Sequence, residues 1–185
     1  SLGAVLEEIK NNKFIDEIIV IVDNENDNSI PIIKNYNCKL IVQEKKGYGA
    51  AIIEGFRVAK NKFGCIYNAD YSFDPTYFPK LTELTKEYDF IFGSRYKGSG
   101  GSEDDTIVTF IGNKIFTFIT RYILRIKLSD ILFTYVVCNV EKFNILKLKN
   151  NDFKFCIELP VKVKKNNFTY TDLEMFERKR FDGKK

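Results

Sequence analysis

The sequence predicts an α/β fold, a mostly parallel central sheet flanked by helices, within a single domain over residues 1–185. Three observations predict it. The runs Ile18-Ile19-Val20-Ile21-Val22 and Phe63-Gly64-Cys65-Ile66-Tyr67 are apolar on consecutive residues, the pattern of strands covered on both faces. Such runs alternate with segments of helical periodicity. Each run empties into a polar loop, Asp23 to Ser29 after the first and Asn68-Ala69-Asp70 after the second, where open α/β sheets bind ligands.

Asp16 to Val22 reads as the first strand, Ile30 to Asn35 as a short helix and Lys39 to Gln43 as the second strand. Gly49 to Lys60 places Ala50, Ile53, Phe56 and Val58-Ala59 on one side, as an amphipathic helix does. Phe63 to Tyr67 is the third strand. Asp74-Pro75 closes the loop behind it, because proline cannot donate to a ladder and restricts its neighbour. Phe78 to Glu87 reads as a helix and Asp89 to Gly93 as a strand running into Ser94-Arg95-Tyr96. Lys97 to Asp105, rich in glycine and then acid, reads as a flexible loop of the kind that serves as a lid.

Ile107 to Leu128 reads as one long helix whose charges, Lys114, Arg121, Arg125 and Lys127, are all basic. It suits either the core or a membrane surface that attracts its cations. Tyr135 to Val140 reads as a strand, Phe153 to Lys164 as a helix interrupted at Pro160, Phe168 to Phe176 as a terminal strand, and Glu177 to Lys185 as a basic tail.

Composition narrows the chemistry. The 185 residues are 44% hydrophobic and 29% charged, enough for one sizeable core. A net charge of +4, with 29 basic residues mixed among 25 acidic ones, gives no footprint for nucleic-acid binding. Histidine is absent, which removes Ser-His-Asp and Cys-His nucleophiles and imidazole zinc sites. Cys38, Cys65, Cys138 and Cys156 lack CxxC spacing and read as reduced core residues of a cytoplasmic protein. No signal peptide or run of about eighteen uncharged apolar residues is present. The opening Ser1-Leu2 and the ending Gly183-Lys184-Lys185 read as a domain cut short at its N-terminus, and at its C-terminus as well.

Asn68-Ala69-Asp70 carries the sharpest chemical signal. A carboxylate emerging from a buried strand, with Asn68 and Ser72 oxygens beside it, suits a divalent cation holding a diphosphate, since magnesium usually takes only one or two protein carboxylates. The same triplet equally suits a strand-to-turn junction.

Taken in order, Ile19-Val20-Ile21-Val22-Asp23-Asn24 with Asp27-Asn28-Ser29, Gln43 to Ala51, Asn68 to Pro75, Gly93-Ser94-Arg95-Tyr96, the Gly100 to Asp104 loop, Gly112-Asn113-Lys114, Ser129-Asp130 and Phe176 to Arg180 resemble family 2 glycosyltransferases of the GT-A fold. The likeness is to the dolichol-phosphate mannose synthase-like, polyprenyl-phosphate branch. It implies an inverting glycosyltransferase of cell-envelope glycan biosynthesis, with a nucleotide-sugar donor and a lipid-phosphate or glycan acceptor. It places Asp23, Asn24, Lys45, Lys46, Gly49 and Asn68 at the nucleotide, and Asp70 with Asn68 at a magnesium or manganese ion. Asp130, Arg95, Arg178 and Arg180 become the catalytic candidates. A polyprenyl phosphate acceptor implies peripheral association with the cytoplasmic face of a membrane.

The chain departs from the family pattern at Asn24 and Asn68, each standing where aspartate is usual, and at Thr134, in place of a small residue near the acceptor. The family's opening strand is also missing. These departures support a second reading, a non-catalytic relative that binds a nucleotide sugar or a partner protein. A hydroxyl acceptor would need a base from Asp130, Glu158 or Glu103 to Asp105, whereas a lipid phosphate is already ionised and needs cations instead. The residues also allow plainer roles: Arg95 pairing with the acidic loop, Asp130 capping a turn, Asp23-Asn24 forming an Asx turn and Arg178 to Arg180 lying in a solvated tail.

Overall fold

A computed structural model describes residues 1–181. Helix α1 (Leu2–Ile9) buries Val5, Leu6 and Ile9 on one side. Strand β1 (Ile19–Val22) then pairs in parallel with β2 (Lys39–Val42) across the one-turn helix α2 (Ile30–Ile33). Helix α3 (Tyr48–Val58) leads to β3 (Phe63–Ile66), a single 3-10 turn (Pro75–Tyr77), α4 (Phe78–Leu84) and β4 (Phe90–Ser94). The second half runs β5 (Gly101–Ser102), α5 (Ile107–Tyr122), β6 (Val136–Asn139), α6 (Val140–Ile145), α7 (Phe155–Lys165), β7 (Tyr170–Glu174) and β8 (Phe176–Glu177).

The larger sheet has the order β3-β6-β4-β7 and is mixed: β6 runs antiparallel to β3 and β4, and β7 runs parallel to β4. Strand β4 is bonded on both edges and buried at every position, which its apolar run requires. Phe90 and Phe92 join a cluster with Phe56, Phe143, Phe155 and Leu159 from α3, α6 and α7. Ile91, pointing the other way, joins Phe73, Phe78, Leu81 and Leu173 beside α4. The sheet is therefore covered by helices on both faces, as consecutive apolar residues predict.

Among the described residues β1 bonds only to β2 and β3 only to β6. Helix α3 packs on both, with Gly55 against Ile21 and Phe56 against Gly64. The two strands thus share a cover while each leaves one backbone edge unpaired.

Several elements differ from the sequence expectation. The long helix ends at Tyr122, not Leu128, because Arg125 takes a φ of 53° and Ile126 and Leu128, 1% and 2% exposed, enter the core with a two-residue period. The expected strand to Val140 stops at Asn139, whose Oδ1 accepts the Lys142 N–H and caps the unexpected α6. Helix α7 continues through Pro160; burial of Leu159, Pro160 and Val163 offsets the missing N–H. The terminal strand breaks at Met175, which donates to the Ser94 carbonyl and accepts from Gly101 N–H. Beyond it the chain joins a second small sheet as β8 beside β5, so the segment expected to be a flexible loop is tied down. Of the tail, residues 182–185 lie outside the described residues.

Candidate functional site

The ends of β1, β2 and β3 converge through the segment 43–48. Asp23 Oδ1 accepts from Gln43 Nε2 at 2.9 Å, and Lys46 Nζ lies 4.0 Å from Asp23 Oδ2. Asn24 Oδ1 accepts the Asn26 N–H at 2.9 Å, so this side chain forms an Asx turn while remaining exposed. Five residues beyond Gln43, Tyr48 reaches the end of β3: its hydroxyl bridges Asn68 Oδ1 at 3.1 Å and Thr134 Oγ1 at 2.7 Å, and its ring stacks on Phe153. Sequence reasoning missed Tyr48, although its place between Gly47 and Gly49 was the available signal.

Two further residues shape this segment. Glu54, 8% exposed, accepts the N–H groups of Glu44 and Lys45 at 2.8 and 3.0 Å and fixes the turn from beneath. Gly47 has a φ of 122°, and a Cβ there would strike the Asn151 carbonyl. Gly49 abuts the Asn150 carbonyl in the same way, a close approach at the start of α3. Lys45 and Lys46 part company: Lys45 lines a depression of about 190 Å³ with Arg57, Lys149 and Ile53, and only Lys46 lies beside Asp23.

At the Asp70 loop, Oδ1 accepts from the Ser72 N–H at 3.0 Å and from Ser72 Oγ at 2.6 Å. Tyr71, inside that turn, has a φ of 72°, a value uncommon for a residue with a Cβ. Asp70 Oδ2 lies 3.4 Å from Arg180 Nε, which is also 3.1 Å from Asp104 Oδ2. Arg178 makes a bidentate pair with Glu8 at 2.7 and 2.9 Å and stacks over Tyr71 at 4.2 Å. The described part of the expected solvated tail therefore lies along residues 70–73.

Arg95 and Asp130 sit together in a buried ion cluster. Arg95 Nε and Nη2 donate to the two oxygens of Asp130 at 2.7 and 3.1 Å, and Nη1 donates to Glu177 at 3.1 Å with Asp105 at 3.6 Å. Burial works against the guanidinium charge, but Asp130 and Glu177 outweigh it and hold Arg95 more firmly protonated than usual. Asp130 is 1% exposed, which leaves its carboxylate no open side for a substrate proton. Ser102 Oγ donates to Glu177 and the Tyr96 hydroxyl to Asp105, so the cluster pins the 97–105 loop to β8.

Helix α5 is amphipathic the wrong way round for a globular protein. Asn113, Thr117 and Thr120 face inward, while Ile107, Val108, Ile111, Ile115, Phe118 and Tyr122 are between 52% and 79% exposed. Its cations lie on a helix without a single acid. No described helix is long and apolar enough to cross a membrane.

A divalent cation fits the Asp70 loop chemically. The available donors are hard oxygens: Asp70 Oδ2, Asn68 Oδ1 and Ser72 Oγ. Among the described residues no group of three or more acidic or cysteine side chains forms a metal cage. Such an ion would therefore draw most of its shell from water and ligand oxygens.

Comparison with known proteins fits this geometry. The chain is 30% identical over 95 residues to a dolichol-phosphate mannosyltransferase of Saccharomyces cerevisiae, covering 48% of this chain and 36% of the relative. It is 33% identical over 95 residues to the enzyme of the same name from Mycosarcoma maydis, covering 48% and 32%. These matches span about a third of the length of the curated relatives. In fold, it superposes on mannosyl-3-phosphoglycerate synthase from Rubrobacter xylanophilus with a TM-score of 0.71, 17% identity and coverage of 97% of this chain and 62% of that one. Glucosyl-3-phosphoglycerate synthase from Mycobacterium tuberculosis, in complex with Mn2+, UDP-glucose and phosphoglyceric acid, gives a TM-score of 0.73 at 12% identity over 95% and 65% of the two chains. These neighbours are GT-A glycosyltransferases, which fixes the fold class. The sequence profile of glycosyl transferase family 2 matches residues 1–146, and the chain belongs to that family.

Proposed function

We propose that the chain is the catalytic-type domain of an inverting glycosyltransferase that moves a sugar from a nucleotide-sugar donor to a polyprenyl phosphate. The observation that carries this reading is the segment 43–48, which links the loop after β1 to the loop after β3, with Gln43 and Lys46 at Asp23 and Tyr48 at Asn68, in a chain of this family. Asp23, held by Gln43, accepts hydrogen bonds from the base or ribose, with Asn24 beside it, and Lys46 sets a cation near the nucleotide. Asp70, with Asn68 assisting, would hold a magnesium or manganese ion, which would supply Lewis-acid stabilisation of the leaving diphosphate. Arg95 and Asp130, buried together and joined to Glu177, hold the 97–105 loop in place beside the site.

A lipid-phosphate acceptor agrees with three features. Its oxygen is ionised already, which suits a site whose Asp130 is sealed. The outward apolar face of α5, with Lys114 and Arg121, suits the cytoplasmic face of an anionic membrane. The curated relatives carry the name dolichol-phosphate mannosyltransferase. A glycan acceptor has none of this support.

Thermal unfolding with UDP-, GDP- and dTDP-sugars, each with and without manganese, tests the reading. A donor at about 100 times its dissociation constant stabilises by about 2.7 kcal/mol, and one metal-dependent shift is the expected result. Asn68 and the Arg180 contact at Asp70 favour the second reading, a non-catalytic relative, and no shift with any donor would support it.

A further inference from the structure

We propose that Arg180 is a displaceable counter-ion that occupies the cation position at Asp70 until a divalent ion takes its place. The inference rests on the reading of Asp70 as the cation's ligand. Asp70 Oδ1 is engaged by Ser72, which leaves Oδ2 as the oxygen able to ligate, and that oxygen faces Arg180 Nε at 3.4 Å. Guanidinium has no lone pair to offer a metal and carries the same sign of charge. The two cations therefore exclude one another at this oxygen.

The contact is built to exchange. Arg180 Nε is buried, yet its N–H makes no aligned hydrogen bond with either carboxylate, so among the described residues charge holds it without a directed bond. Asp104, only 13% exposed in its side chain, offers the guanidinium a second partner 3.1 Å away when Asp70 is taken. The rest of the segment is anchored independently: Arg178 N–H donates to the Ser72 carbonyl at 2.9 Å, Phe181 N–H to the Asp70 carbonyl at 3.1 Å, and the Phe181 ring meets Tyr71 edge-on. Arriving metal thus removes one anchor of residues 176–181 and frees a planar cation beside the place where a diphosphate would sit. Cation loading and the position of this segment become a single coupled event.

The test is manganese binding to the full chain without nucleotide, followed by titration calorimetry and electron paramagnetic resonance, in wild type, Arg180→Gln, Arg180→Lys and Asp70→Asn. Arg180→Gln should bind manganese about fivefold more tightly than wild type, the scale of one partly exposed ion pair, with Arg180→Lys close to wild type. Hydrogen exchange in residues 176–181 should quicken with manganese in wild type and start fast in Arg180→Gln. Equal or weaker binding by Arg180→Gln, while Asp70→Asn abolishes binding, overturns the counter-ion role alone. Undiminished binding by Asp70→Asn, or no binding to wild type, overturns the ligand assignment and this inference with it. The donor reading is judged separately, by the nucleotide-sugar panel.

Discussion

Asn68 shows what a neutral residue does where family members usually carry aspartate. Its Oδ1 is held by the Tyr48 hydroxyl, so Asn68→Asp keeps that hydrogen bond and adds a charge. Charge-assisted contacts are about twice as strong as neutral ones, and manganese affinity measured by calorimetry should rise about tenfold. Glu54 gives a second prediction at this scale. In Glu54→Gln one of the two backbone donors meets an amide N–H in place of an oxygen, a loss of about 1–3 kcal/mol. The melting point should fall by roughly 2–4 °C per kcal/mol, and donor affinity, read by calorimetry, should weaken with it. The sequence made Asp23, Asn68 and Asp70 legible because they follow apolar strands directly. It hid Tyr48 and Glu54, whose partners lie 9 to 86 residues away in the chain and are brought to them only by folding.

Elements were legible wherever burial follows a simple period, as in β4 and α3, and illegible where tertiary contacts set the boundary. Met175 and Arg125 are two such points, each changing the chain's course within one residue. The loop of residues 149–150 depends on α7 through Glu158, which accepts the backbone N–H groups of Lys149 and Asn150. Burial alone would raise the Glu158 carboxyl, but the Lys162 ammonium and these N–H groups outweigh it and hold it below the usual carboxylate range. Its contribution to stability is complete above the unfolded value, about pH 4.3, and is lost as pH falls through the lower folded one. Urea unfolding between neutral pH and pH 3 should show this loss in wild type and a flatter profile in Glu158→Gln. For α5, replacing Ile111, Ile115 and Phe118 with serine should abolish co-sedimentation with anionic vesicles. Because all three are exposed, the melting point should change little.

At the scale of the molecule, stability is unevenly spread. Strand β4 has partners on both edges, while β1 and β3 each have one among the described residues. Native-state hydrogen exchange should therefore be slowest in residues 90–94 and faster in 19–22 and 63–66. The alternation of strands and helices made the α/β class readable. The antiparallel insertion of β6 was not, because an apolar strand carries no mark of its direction. The outward apolar stripe of α5 has one more consequence. A transferase resting on a bilayer by that stripe meets its acceptor by searching a plane, and the relevant concentration is molecules per unit area. Diluting the acceptor with inert lipid would then slow turnover, even with every total amount in the tube held constant.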